Sequence, residues 1–171
     1  MKYADLKLND IANCPKGICV SLWMQGCPFH CNGCHNPQTW DFDGGLEIEF
    51  SNLLDKILKA IPANGVHRNF SVLGGEPLCE NNAKYVEEAI RIVRENFKDI
   101  IITIWTGYTI DKLKSRKDLV YILNNVDYLI DGPFILEQKN IALKLRGSSN
   151  QRIFKNVSNQ LVEVTTNGEF C

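Results

Sequence analysis

Apolar positions recur along the chain in two rhythms. Ile18 to Gln25 is a nearly continuous apolar run of strand length, the pattern of a strand buried on both faces. Leu53, Leu54, Ile57, Leu58 and Ile61 then repeat at helical spacing, with Ser51 as the expected N-cap and Pro62 as the stop. Phe70, Val72 and Leu73 predict a short strand ending at Gly74-Gly75. Ala83, Val86, Ala89, Ile90, Val93 and Phe97 predict a second amphipathic helix. The alternation continues with a β-branched strand over Ile100 to Trp105, a helix over about Ile110 to Leu123 and a strand over Val126 to Ile130. Arg152 to Val157 and Gln160 to Thr166 read as two strands around Ser158-Asn159, a terminal hairpin closing one sheet edge.

Strands alternating with helices imply an α/β fold with a parallel sheet. A complete eight-fold barrel needs about 250 residues, so the 171 present predict an open partial (β/α) barrel with a C-terminal β-hairpin, a single domain over 1–171. In such a sheet ligands bind beyond the carboxyl ends of the strands. The segment after Ile18 to Gln25, Gly74 to Pro77, Thr106-Gly107 and Asp131-Gly132-Pro133 all fall there, so they should line one mouth.

Charge changes the picture by exclusion. A net charge of -1, with acidic and basic residues mixed, argues against a partner bound by phosphate neutralisation, so no nucleic acid is expected. No apolar run is long enough to cross a bilayer, and the start of the chain lacks the charged-then-apolar pattern of an export signal. A cytoplasmic protein without a membrane partner is expected.

The candidate chemistry is concentrated in Gly26-Cys27-Pro28-Phe29-His30-Cys31-Asn32-Gly33-Cys34-His35-Asn36. Three thiolates on one short loop can hold a metal cluster by three corners, and no fourth cysteine is near enough in sequence to close it. The rival is a structural zinc site of three cysteines and one histidine, serving an interaction module. His30 and His35 are each adjacent to a cysteine, a poor arrangement for two ligands of one tetrahedral ion, and the spacing is three then two instead of a repeated pair. Cys14, Cys19, Cys79 and Cys171 are expected to be isolated buried thiols.

The spacing C-x3-C-x2-C after the first strand, with Gly74-Gly75-Glu76-Pro77 at the end of the next, resembles the radical S-adenosylmethionine superfamily. Cys31 to Trp40, Leu73 to Leu78, Trp105 to Tyr108, Ile130 to Phe134 and Arg146 to Arg152 are together similar, in order, to the activases of anaerobic (class III) ribonucleotide reductases. Gly33 stands where many superfamily members carry an aromatic residue, a departure that these activases commonly share.

The resemblance implies a 4Fe-4S cluster on Cys27, Cys31 and Cys34, and S-adenosyl-L-methionine cleaved reductively beside it. It implies cofactor contacts from Gly33, Cys34 and His35 toward the adenine, from Gly74, Gly75 and Glu76 toward the methionyl amine, and from Thr106 and Asp131. The substrate implied is one glycine of the large subunit of the anaerobic ribonucleoside-triphosphate reductase, and the implied electron donor is a reduced flavodoxin or ferredoxin. Activation of another glycyl-radical enzyme is the alternative within the superfamily.

Overall fold

The computed structural model describes residues 1–165; Thr166, the expected end of the hairpin, and Cys171 lie outside the described residues. One eight-stranded sheet runs through the chain in the order β3-β1-β2-β4-β5-β6-β7-β8 and does not close on itself. Its strands are β1 (Lys2–Asp10), β2 (Cys19–Met24), β3 (Leu46–Glu47), β4 (Asn69–Gly74), β5 (Ile102–Trp105), β6 (Tyr128–Asp131), β7 (Arg152–Val157) and β8 (Gln160–Glu163). The middle four, β2, β4, β5 and β6, are parallel, and antiparallel strands flank them on both sides.

Helices α1 (Phe50–Ala60), α2 (Glu80–Asn96), α3 (Ile110–Lys114) and α4 (Val120–Asn125) connect the parallel strands. Side chains alternate across a strand, so Leu22, Val72, Ile104 and Leu129 turn to the face covered by the helices. There they pack with Leu53 and Ile57 of α1, Val86 and Ile90 of α2, and Ile122 of α4. Their alternates Ser21, Trp23, Ser71, Leu73, Thr103 and Trp105 turn to the other face.

The structure adds two strands and departs from the sequence pattern at two helices. The strands β1 and β3 were not foreseen: β1 carries Lys2, Asp5, Lys7 and Asp10 and pairs on only one long side with a buried strand, where polar residues are tolerated. The helix expected from Ile110 to Leu123 breaks at Arg116, which is extended and whose guanidinium donates to the Leu78 carbonyl and pairs with Asp118. Helix α1 starts at Phe50 with Glu49 at the N-cap, so Ser51 lies inside it. The hairpin of β7 and β8 forms through the turn at Ser158 and Asn159, both at positive φ.

Candidate active site

The loop after β2 is held open by backbone pairing with the segment that returns from it. Gly26 N–H donates to the Thr39 carbonyl (2.8 Å), Cys27 N–H to that of Trp40 (3.0 Å) and Cys34 N–H to that of Cys31 (3.0 Å). Gln25, buried beneath, donates its amide to the carbonyls of Gln38 and Asp41. Gly33 has φ +72°, a left-handed conformation that lets the loop turn between Cys31 and Cys34 at little steric cost. Cys27, Cys31 and Cys34 are all free and half-buried.

The loop after β4 lies against it. Gly75 N–H donates to the Met24 carbonyl and Glu76 N–H to the Gly26 carbonyl, both at 2.8 Å. A Cβ on Gly75 would stand 2.4 Å from the Gly26 oxygen, so no other residue fits there unless the backbone moves. From the first turns of α2, the Asn82 amide donates to the carbonyls of Glu76 (2.9 Å), Gln25 (3.0 Å) and Gly26 (3.4 Å).

Glu76 ties this loop to the next. Its Oε1 accepts from Leu78 N–H and from the Thr106 hydroxyl, each at 2.8 Å, and its Oε2 accepts from Gly107 N–H at 2.7 Å. Burial pushes its carboxyl up to about 7, against these three donated bonds. Asp131, at the end of β6, is fully buried, with Arg152 donating to both oxygens and Ile110 N–H donating at 2.7 Å.

A cavity of about 430 Å³, within the range of small-molecule sites, opens at these strand ends. Cys27, Cys31, Cys34, His35, Gly74, Gly75, Glu76 and Thr106 line it together; Gly33 and Asp131 lie off its wall. His35 packs against Phe134 with ring centroids 5.2 Å apart. Burial pushes the Cys27 thiol up to about 11 and raises that of Cys31, so metal binding there must release protons. Among the described residues no three His, Cys, Asp or Glu side chains converge as they would on a single ion.

Gln25 and Asn82 shape the site without any signal in the sequence, and Gln151, though inside the segment Arg146 to Arg152, had no role assigned there. Gln25 and Asn82 are ordinary amides until the fold brings carbonyls to them. Gln151 accepts the Gly147 and Ser148 N–H groups on its Oε1 and donates to the Gly132 carbonyl, which fixes the turn from Arg146 to Gln151. Cys14 and Cys19, expected as isolated thiols, form a disulfide, while Cys79 is free and buried. No helix among the described residues is long and apolar enough to cross a membrane.

Known proteins resemble this chain over most of its length. A family model described as a 4Fe-4S single cluster domain matches residues 15–154, from the turn before β2 into β7. The anaerobic ribonucleoside-triphosphate reductase-activating protein of Vibrio cholerae is 33% identical over 156 residues, 91% of this chain and 98% of that protein. The protein of the same name from Escherichia coli K12 is 33% identical over 152 residues, 88% and 96% of the two chains. That of Enterobacteria phage T4 is 31% identical over 158 residues, 91% and 95%. With its cysteine loop inside the matched domain and its relatives aligned nearly end to end, the chain belongs to the family of anaerobic ribonucleoside-triphosphate reductase-activating proteins.

Proposed function

We propose that Cys27, Cys31 and Cys34 hold a 4Fe-4S cluster, that S-adenosylmethionine binds beside it, and that the chain removes a hydrogen atom from one glycine of the anaerobic reductase, leaving a glycyl radical. The observation that carries this reading is that three free thiols of one loop and the glycine pair after β4 line a single cavity. The residues fit the group: a cubane spreads its thiolates over separate irons, and these thiols sit on one open loop without converging as on one ion. When bound, cluster and sulfonium together supply a low-potential electron and a carbon radical able to take hydrogen from a glycine Cα.

The protein's own part is placement. The backbone of Cys34 and His35 receives the adenine, with Gly33 setting the turn before them and Phe134 bracing the His35 ring. Gly74 and Gly75, having no side chains, let the methionyl end approach the main chain. Glu76 and Thr106 keep the loops after β4 and β5 in step through the hydrogen bonds between them. Asp131, paired with Arg152, holds the end of β6 from behind the cavity wall.

In this reading β2, β4, β5 and β6 are the arc of a partial barrel of the radical S-adenosylmethionine type, within one domain over 1–171. Its open side admits a loop of a protein, where a closed barrel would enclose a small substrate. The electron comes from a reduced flavodoxin or ferredoxin in the cytoplasm.

Electron paramagnetic resonance tests the function. Anaerobic protein with reconstituted cluster, mixed with reductase, S-adenosylmethionine and reductant, should give a glycine-centred doublet that collapses on deuteration of glycine Cα. Cofactor cleavage without any radical on the reductase would sink the assignment.

A further inference from the structure

Ten large apolar side chains are exposed among the described residues, and the two most exposed are Ile141 (86%) and Ile11 (73%). They lie far apart in sequence, yet both flank the same cavity: Ile141 borders it, and Ile11 precedes Ala12 and Asn13, which line it. Exposed apolar side chains that border one cavity mark a contact surface more strongly than scattered ones.

Neither lip is loose chain. In the lip at 11–17, the Asp10 carboxylate accepts from the N–H groups of Ala12 and Asn13, Ser71 Oγ donates to the Asn13 carbonyl at 2.7 Å, and the Cys14–Cys19 disulfide closes the turn. The strap at 139–148 is joined at its base by the bridge between Lys139 and Ser148. It is tied to β5 by Trp105 Nε1, which donates to the Leu145 carbonyl at 2.7 Å. Ile11 and Ile141 are therefore held outward by ordered backbone, at little ordering cost to an arriving partner.

Charge gives the partner's chemistry. The lip 11–17 contains Lys16 and no acid, and the strap 139–148 contains Lys139 and Arg146 and no acid, in a chain of net charge -1. Asp10 is buried in its own turn, and Glu137 is the nearest acid along the chain before the strap. Arg146, which lines the cavity, has no carboxylate partner among the described residues.

We propose that Ile11 and Ile141, with Lys16 and Lys139 of the same two segments, are the docking surface for a protein loop whose apex is small or apolar and whose flanks carry Asp or Glu. The proposal rests on the reading above, in which the substrate is a loop of the reductase, and adds where that loop lands and what it is made of.

Association is measured by interferometry between the cluster-loaded protein and the anaerobic reductase, without reductant. Two double variants are compared, Ile11→Ser with Ile141→Ser and Lys16→Glu with Lys139→Glu. Each should weaken association about tenfold or more, and the loss in the charge variant should shrink as salt shortens the range of the attraction. Iron content and partner-independent cofactor cleavage should stay as in the parent. Unchanged association in either double variant overturns the proposal, as does loss of iron together with association. Dissolution of a dimer of this chain with reductase binding intact also overturns it, assigning the surface to a second copy. If association behaves as expected but no glycine radical forms in the parent, the docking surface stands and the proposed chemistry fails.

Discussion

The two faces of the parallel strands divide their work residue by residue. Leu22, Val72, Ile104 and Leu129 pack against α1, α2 and α4 in a hydrophobic cluster. One residue away on the same strands, Ser21, Ser71 and Thr103 form a buried row, with Trp23, Leu73 and Trp105 above it as a wall of the cavity. The register aligns these rows, Ser21 beside Ser71 and Ser71 beside Thr103, so polarity is graded along the strands toward the site. One face contributes stability through apolar burial; the other gives up part of that burial to seat loops and a ligand.

The division can be broken most sharply at the cluster loop. Cys31→Ala should abolish cluster retention, read as iron and sulfide content, while the circular dichroism of the fold is unchanged because the thiol is a half-buried loop group. Leu22→Ala should do the reverse, lowering stability in urea by about 2–5 kcal/mol with the iron content per folded molecule retained. Glu76 gives a test by pH. Its carboxyl is raised from 4.5 to about 7, so the folded state holds the proton more tightly than the unfolded chain. Its contribution is full below about 4.5 and is lost as pH rises to about 7. Glu76→Gln should therefore flatten the fall in stability over that window; an undiminished slope would assign it to other groups. The smallest effect is expected from Ser71→Ala, about 1 kcal/mol for the bond to the Asn13 carbonyl. If it matched Leu22→Ala, the two faces would not differ as described.

The parallel core was legible because strands buried on both faces read as apolar runs and helices show their own period. The edge was not, since β1 mixes four charged residues into nine and β3 has only two residues. The cysteines and glycines of the site were legible because spacing along the chain limits what they can do together. The roles of Gln25, Asn82 and Gln151 were not, since an amide takes its role from carbonyls that only the tertiary fold delivers. Arg116 shows the same limit: nothing local in Ile110 to Leu123 announces that its guanidinium will reach Leu78 and interrupt the helix.

The Asn82 amide reaches three carbonyls belonging to two different loops, from a helix rooted in the core. Those loops consequently share one ruler. Neither can be lengthened or shortened alone without stranding a buried carbonyl, so variation among such proteins should be confined to the outer strap and edge strands, with loop lengths at the cysteine and glycine segments inherited as a pair.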